Sequence, residues 1–195
     1  MSNTIFSYEA PFLSAALDHF KDYLLSNEIF WNLGLNSPQG HPPYPQLSLG
    51  NLLLSFTRLL ALSEGGLLSD AQSVQFAEFD SALRSFRKDW QTAWAGKAEK
   101  EFGIRLRQWA RFLDELGTSA QGQASSFKNG LRIRAAMQLL LSHFPKSEAA
   151  LQPELALQDK RFKHLSSSGD FVWENELKEH FSPEEYWFLR SQPKK

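Results

Sequence analysis

Apolar side chains recur along most of this chain at every third or fourth position, the spacing that gathers them on one face of an α-helix. Phe12, Leu13, Ala16, Leu17, Phe20, Tyr23 and Leu24 form the first such stripe, with Asp18, Lys21 and Asp22 turned away from it. Its helix is expected to start near residues 7–11, where Pro11 suits a first turn. A short aromatic segment, Ile29, Phe30 and Trp31, leads into a Pro/Gly loop over residues 36–46. Ser48 then caps a helix of about fourteen residues through Leu52, Leu53, Phe56, Leu59 and Leu60. Arg58 is its single charge, and a helix that apolar belongs at the centre of a core.

Ser69 with Gln72 three residues on is a capping box, and it opens the longest helical pattern, over residues 70–116. Unbroken, that pattern would extend roughly 70 Å, more than the width of a domain of this size. Leu83, Phe86, Trp90 and Trp94 share one face, whereas Phe102, Leu106, Trp109, Leu113 and Leu116 share another. The changeover falls between Gly96 and Gly103, which predicts a kink there or two consecutive helices. The kink is preferred, because no proline or Asn-Gly turn interrupts.

Residues 117–126 read as a connection, and a helix over 127–144 follows, stopped by Pro145. Pro153 suits the first turn of another helix, ending near Leu165, and residues 166–169 read as a flexible break. Asp170 caps a helix over 171–181. Ser182, Pro183 and Glu185 make the clearest helix start in the chain. No internal repeat and no sustained heptad is present.

Composition reinforces the helical pattern. The chain holds 30 Leu and 18 Ala against two Val, four Ile and four Thr, so the β-branched residues a sheet needs are nearly missing. The expected fold is all-α: an irregular bundle of about seven helices, built around one long helix at about 70–116, in a single domain over 1–195. There is no cysteine, which excludes disulfides, thiolate metal sites and a cysteine nucleophile, and favours a reducing, cytoplasmic setting. No Lys or Arg precedes Phe12, unlike the start of a secretory signal. The longest uncharged stretch, residues 29–57, carries Pro38, Pro42, Pro43 and Pro45 and cannot cross a bilayer as a helix, so no membrane partner is expected.

A net charge of −1 conceals segregation. Residues 1–83 carry two basic and eight acidic side chains, residues 84–134 eleven and five, and residues 135–195 eight and nine. In the basic middle, Lys100, Arg107 and Arg111 fall on one helical stripe, and Arg132 and Arg134 follow after the turn. Such a stripe is the solvated back of a helix, a partner for the acidic first third within the molecule or across a dimer, or a phosphate-binding surface for nucleic acid.

Catalytic signals are sparse. His19, His41, His143, His164 and His180 are scattered, and none pairs with another at helical metal spacing. Asp18, His19 and Asp22, and likewise Glu176 with His180, read as exposed polar faces rather than ligands. No phosphate loop, nucleophile elbow or dinucleotide fingerprint occurs, so neither a metal nor a cofactor is expected. The segment His41-Pro42-Pro43-Tyr44-Pro45 is a rigid loop over the core in preference to a polyproline ligand. The last helix, with Tyr186, Trp187, Phe188 and Leu189 in succession, is apolar on more than one side. These features together point to a non-catalytic helical interaction protein, binding a protein partner or itself, with a nucleic-acid accessory role on the five basic residues as the alternative.

Overall fold

In a computed structural model of the chain the backbone is described over residues 4–118, 124–144 and 148–194, and side chains over 4–118, 127–144 and 151–194. Ile5, Phe6, Tyr8 and Ala10 are all buried, so the chain is helical from Thr4, and α1 (Thr4–Asp18) holds Pro11 in its interior rather than its first turn. The proline costs one backbone donor. Full burial of neighbours such as Phe12 and Leu13, at roughly 1.5–3 kcal/mol each, offsets it. His19 departs from helical geometry, and α2 (Phe20–Leu25) carries the stripe onward through buried Phe20, Tyr23 and Leu24.

The chain falls into two compact units, residues 1–101 and 102–195. In the first, α3 (Leu49–Glu64) is buried on most sides, as its near-absence of charge implies, and packs with α1 and α4 (Asp70–Asp89). Both caps read from the sequence are made. Ser48 Oγ accepts from the Asn51 N–H at 3.2 Å, and the Ser69–Gln72 box closes in both directions. The loop before α3 touches the aromatic segment through a single antiparallel bridge between Trp31 and Leu47.

The long pattern is two helices, not one kinked helix, and the break lies at Trp90 rather than between Gly96 and Gly103. Trp90 leaves the helical region (φ −124°, ψ 34°), and α5 (Gln91–Thr118) runs through both glycines without interruption. The break sits opposite a ring on α2: Phe86 and Trp94, on either side of Trp90, both pack edge-on against Phe20, with centroids at 5.1 and 5.5 Å.

The second unit holds the rest of α5 with α6 (Ala124–Leu140) and α7 (Glu148–Leu165). α6 ends at Leu140 and tightens into a 3₁₀ turn, Leu141–His143; the expected stop at Pro145 lies outside the described residues, as does most of the expected connection after Thr118. Pro153 stands inside α7, five residues past its start, not at its first turn. Gly130 is where α6 meets the ring of Phe112: a Cβ at that position would lie 2.5 Å from the ring carbons. Alanine is the better helix former by about 1 kcal/mol, yet Gly130→Ala is expected to destabilise the protein by roughly 1–3 kcal/mol, because overpacking wins; denaturant midpoints of the two proteins check this.

Residues 171–190 do not form the two helices expected there. Ser182 Oγ accepts from the Glu185 N–H and Tyr186 donates back to Ser182 O, so the capping signal makes one turn. The backbone then tightens into a 3₁₀ turn, Trp187–Arg190. A continuous helix would spread Tyr186, Trp187, Phe188 and Leu189 around its circumference. The irregular path instead buries Phe181, Tyr186, Phe188 and Leu189 together, with the Val172 N–H held by Leu189 O. The expected flexible break at 166–169 is pinned as well: Ser166–Ser168 (β1) pairs antiparallel with Ser191–Pro193 (β2). Seven α-helices, three short 3₁₀ turns and this one two-stranded ribbon make up the regular structure of the described residues, an irregular all-α bundle. No described helix is long and apolar enough to cross a membrane.

Candidate functional site

Ionisable groups in the interior are the first place to look for chemistry, and each is spoken for by the fold. The Glu9 carboxylate on α1 accepts from Arg58 Nε and from Ser55 Oγ of α3, the latter at 2.7 Å. Glu101 on α5 accepts from Ser48 Oγ at 2.7 Å and from the Gly50 N–H at 2.9 Å, so it caps α3 from outside. Lys97 Nζ, buried on the same helix, donates to Ser26 O at 3.0 Å and to Glu28 O, and lies over the Tyr23 ring. Burial lowers its pKa, with the charge of Lys100 acting the same way and Glu28 and Glu101 opposing. These are groups that join helices.

The proline segment lies against α1 through its two aromatic side chains, while Pro42 and Pro43 are exposed. His41 and Tyr44 both stack on the Tyr8 ring of α1, at 5.1 and 4.9 Å, and Tyr44 also stacks with Phe12. Burial, and then Tyr8 and Glu9, raise the Tyr44 pKa. Asp18, His19 and Asp22 are exposed, and the described residues contain no group of three His, Asp or Glu able to hold a metal ion.

The five basic residues are not equivalent. Lys100, Arg107 and Arg111 are exposed on α5, and Arg111 pairs with Glu115 one turn on, a surface contact of little energetic weight. Arg132 is half-buried. Arg134 is buried: its guanidinium makes a bidentate pair with Asp159 of α7, with Nε and Nη2 at 2.9 and 2.8 Å, donates to Gln138 and lies over the Phe188 ring. It belongs to the core of the second unit and not to a surface.

Two open hollows, about 440 and 450 Å³, mark the second unit. Across the first, Arg161 is bound to Asp114 at 2.6 Å and to Gln158 at 2.7 Å. Polar groups of the second are partly paired to each other, Gln138 with Glu185. Neither brings a nucleophile against a base.

The outer face of α4 is different in kind. Phe76, Phe79 and Leu83 fix its inner face, which turns Ala71, Val74, Ala77, Ser81 and Ser85 to solvent. Val74 is 62% exposed, and Leu67, in the turn just ahead of the helix, is 44% exposed. The other large exposed apolar residues, Leu25 and Leu157, stand singly on their own helices. Small residues leave the α4 backbone open to close approach, and acidic and basic side chains are largely sorted along it. Asp70, Glu78 and Asp80 stand in its first eleven residues, and Arg84, Arg87 and Lys88 near its end, ahead of Asp89 as its last residue. Comparison with protein-family models, with curated proteins and with solved structures found no match to this chain.

Proposed function

We propose that this chain is a non-catalytic helical protein-binding module, the working part of a cytoplasmic assembly, and that it docks through the outer face of α4. The observation that carries this reading is the exposure of Val74 on a face where the small side chains Ala71, Ala77, Ser81 and Ser85 are interleaved with charged Glu78 and Arg84, with a second exposed apolar residue, Leu67, in the turn ahead of the helix. Single exposed leucines are ordinary on a protein surface, whereas an exposed valine among small side chains, bounded along one helix by charges of opposite sign, suits helix-to-helix docking. A nucleic-acid role is the weaker reading, because Arg134 is committed to Asp159 inside the second unit.

The test is a photo-crosslinking amino acid at Val74, activated in the cells that express the protein natively, with the same residue at exposed Glu179 as the control. The expected outcome is a discrete adduct from position 74 that is lost when Leu67→Arg is added. Equal, diffuse labelling from both positions would remove the docking reading.

A further inference from the structure

Resting on that docking reading, we propose that the occupant of the α4 face is α4 of a second copy of this chain, lying antiparallel to the first. At about 100° per residue, Asp70, Val74, Ala77, Ser81, Arg84 and Lys88 fall within a sector roughly 80° wide, on the side away from buried Phe76, Phe79 and Leu83. All six are exposed. Their spacing, alternately four and three, is the seam spacing of paired helices.

Charge selects the partner and its direction. Asp70 stands in the first turn of α4 and Lys88 in its last. A parallel copy would set like charge against like; an antiparallel copy sets Asp70 of each chain opposite Lys88 of the other. In that register Ala77 faces Ser81, so the two smallest pairs lie at the crossing point, where backbones come closest. Val74 covers the aliphatic stem of Arg84, whose guanidinium stays on Asp80 of its own helix at 2.8 Å. The surface is therefore self-complementary, as a two-fold interface requires. Glu78 lies on one flank near the two-fold axis and meets its own copy there, a repulsion that limits the affinity. One helix per chain buries less than a standard interface, so the dimer is expected to be micromolar and concentration-dependent.

The deciding experiment is a charge swap followed by sedimentation velocity on the full-length chain. Asp70→Lys alone and Lys88→Asp alone each place like charges at both ends of the pair and are expected to weaken dimerisation roughly tenfold. An equimolar mixture of the two variants restores opposite charges at both ends and is expected to recover wild-type affinity as a heterodimer, which also shows that both variants are folded. Val74→Arg is expected to abolish the dimer, and Glu78→Gln to tighten it severalfold. A wild-type chain that stays monomeric to about 500 µM, or a mixture no tighter than its components, overturns self-pairing. The crosslink at position 74 separates the two levels: an adduct at twice the chain mass supports this inference, and one of any other mass keeps the docking reading while overturning self-pairing. If no adduct forms, both fall.

Discussion

Arg58→Met is expected to lower the stability of the protein by about 3–5 kcal/mol, although methionine suits both a helix and an apolar surrounding. The reason lies on the other side of the contact. Glu9 is 1% exposed, and its two oxygens are held by Arg58 Nε and Ser55 Oγ. With the guanidinium gone, a desolvated carboxylate keeps one neutral hydroxyl donor, and an uncompensated buried charge costs several kcal/mol. Glu9→Leu combined with Arg58→Met removes both charges and should return stability to within about 1 kcal/mol of the parent, since a buried ion pair and a well-packed apolar pair are close in energy. Denaturant unfolding checks both values. The single variant should shift the midpoint at an unchanged slope, and the double-mutant cycle should show strong coupling. A single variant within about 1 kcal/mol of wild type would mean that water reaches Glu9, and the ion pair would then not be what ties α1 to α3.

Features legible in the sequence are those whose causes are local. The Ser48 and Ser69 caps each need only residues within three positions, and both form. Helical character followed from leucine and alanine usage, and the central place of α3 from its near-absence of charge. Features set by distant residues stayed hidden. The long pattern breaks at Trp90, where Phe86 and Trp94 both pack against Phe20, more than sixty residues earlier in the chain. A local reading sees only the two glycines. The signal at Ser182 is real and forms its turn, but burial of Phe181, Tyr186, Phe188 and Leu189 together overrides helix propagation.

The candidate site was only partly legible for a related reason. A basic residue on a helical wheel looks the same whether it faces water or a carboxylate from another helix, and Arg134 meets Asp159 twenty-five residues away. Conversely, the α4 strip draws little notice in sequence: alanine and serine are neither apolar enough to mark a core nor charged enough to mark a patch. It becomes visible once Phe76, Phe79 and Leu83 establish which side is inward.

Glu101 illustrates the same limit with a second large effect: Glu101→Leu is expected to destabilise the protein by about 3–5 kcal/mol, and Glu101→Gln by about 1–2 kcal/mol. The N-terminus of α3 is buried, so each of its first amides needs a partner within the protein. Tyr23 Oη takes the Leu49 N–H at 3.1 Å, Ser48 Oγ takes that of Asn51, and Glu101 takes that of Gly50 along with the Ser48 hydroxyl proton. Leucine leaves two of these donors unsatisfied away from water, at roughly 1–3 kcal/mol each, and removes the negative charge from the positive end of the helix dipole. Glutamine keeps the shape and one acceptor oxygen, so it loses the charge and one bond. Chemical denaturation should rank wild type, Gln and Leu in that order, and hydrogen exchange should show the Gly50 amide losing protection in both variants. Equal effects from Gln and Leu would assign the contribution to charge alone; no effect from either would leave the cap to Ser48 and Tyr23.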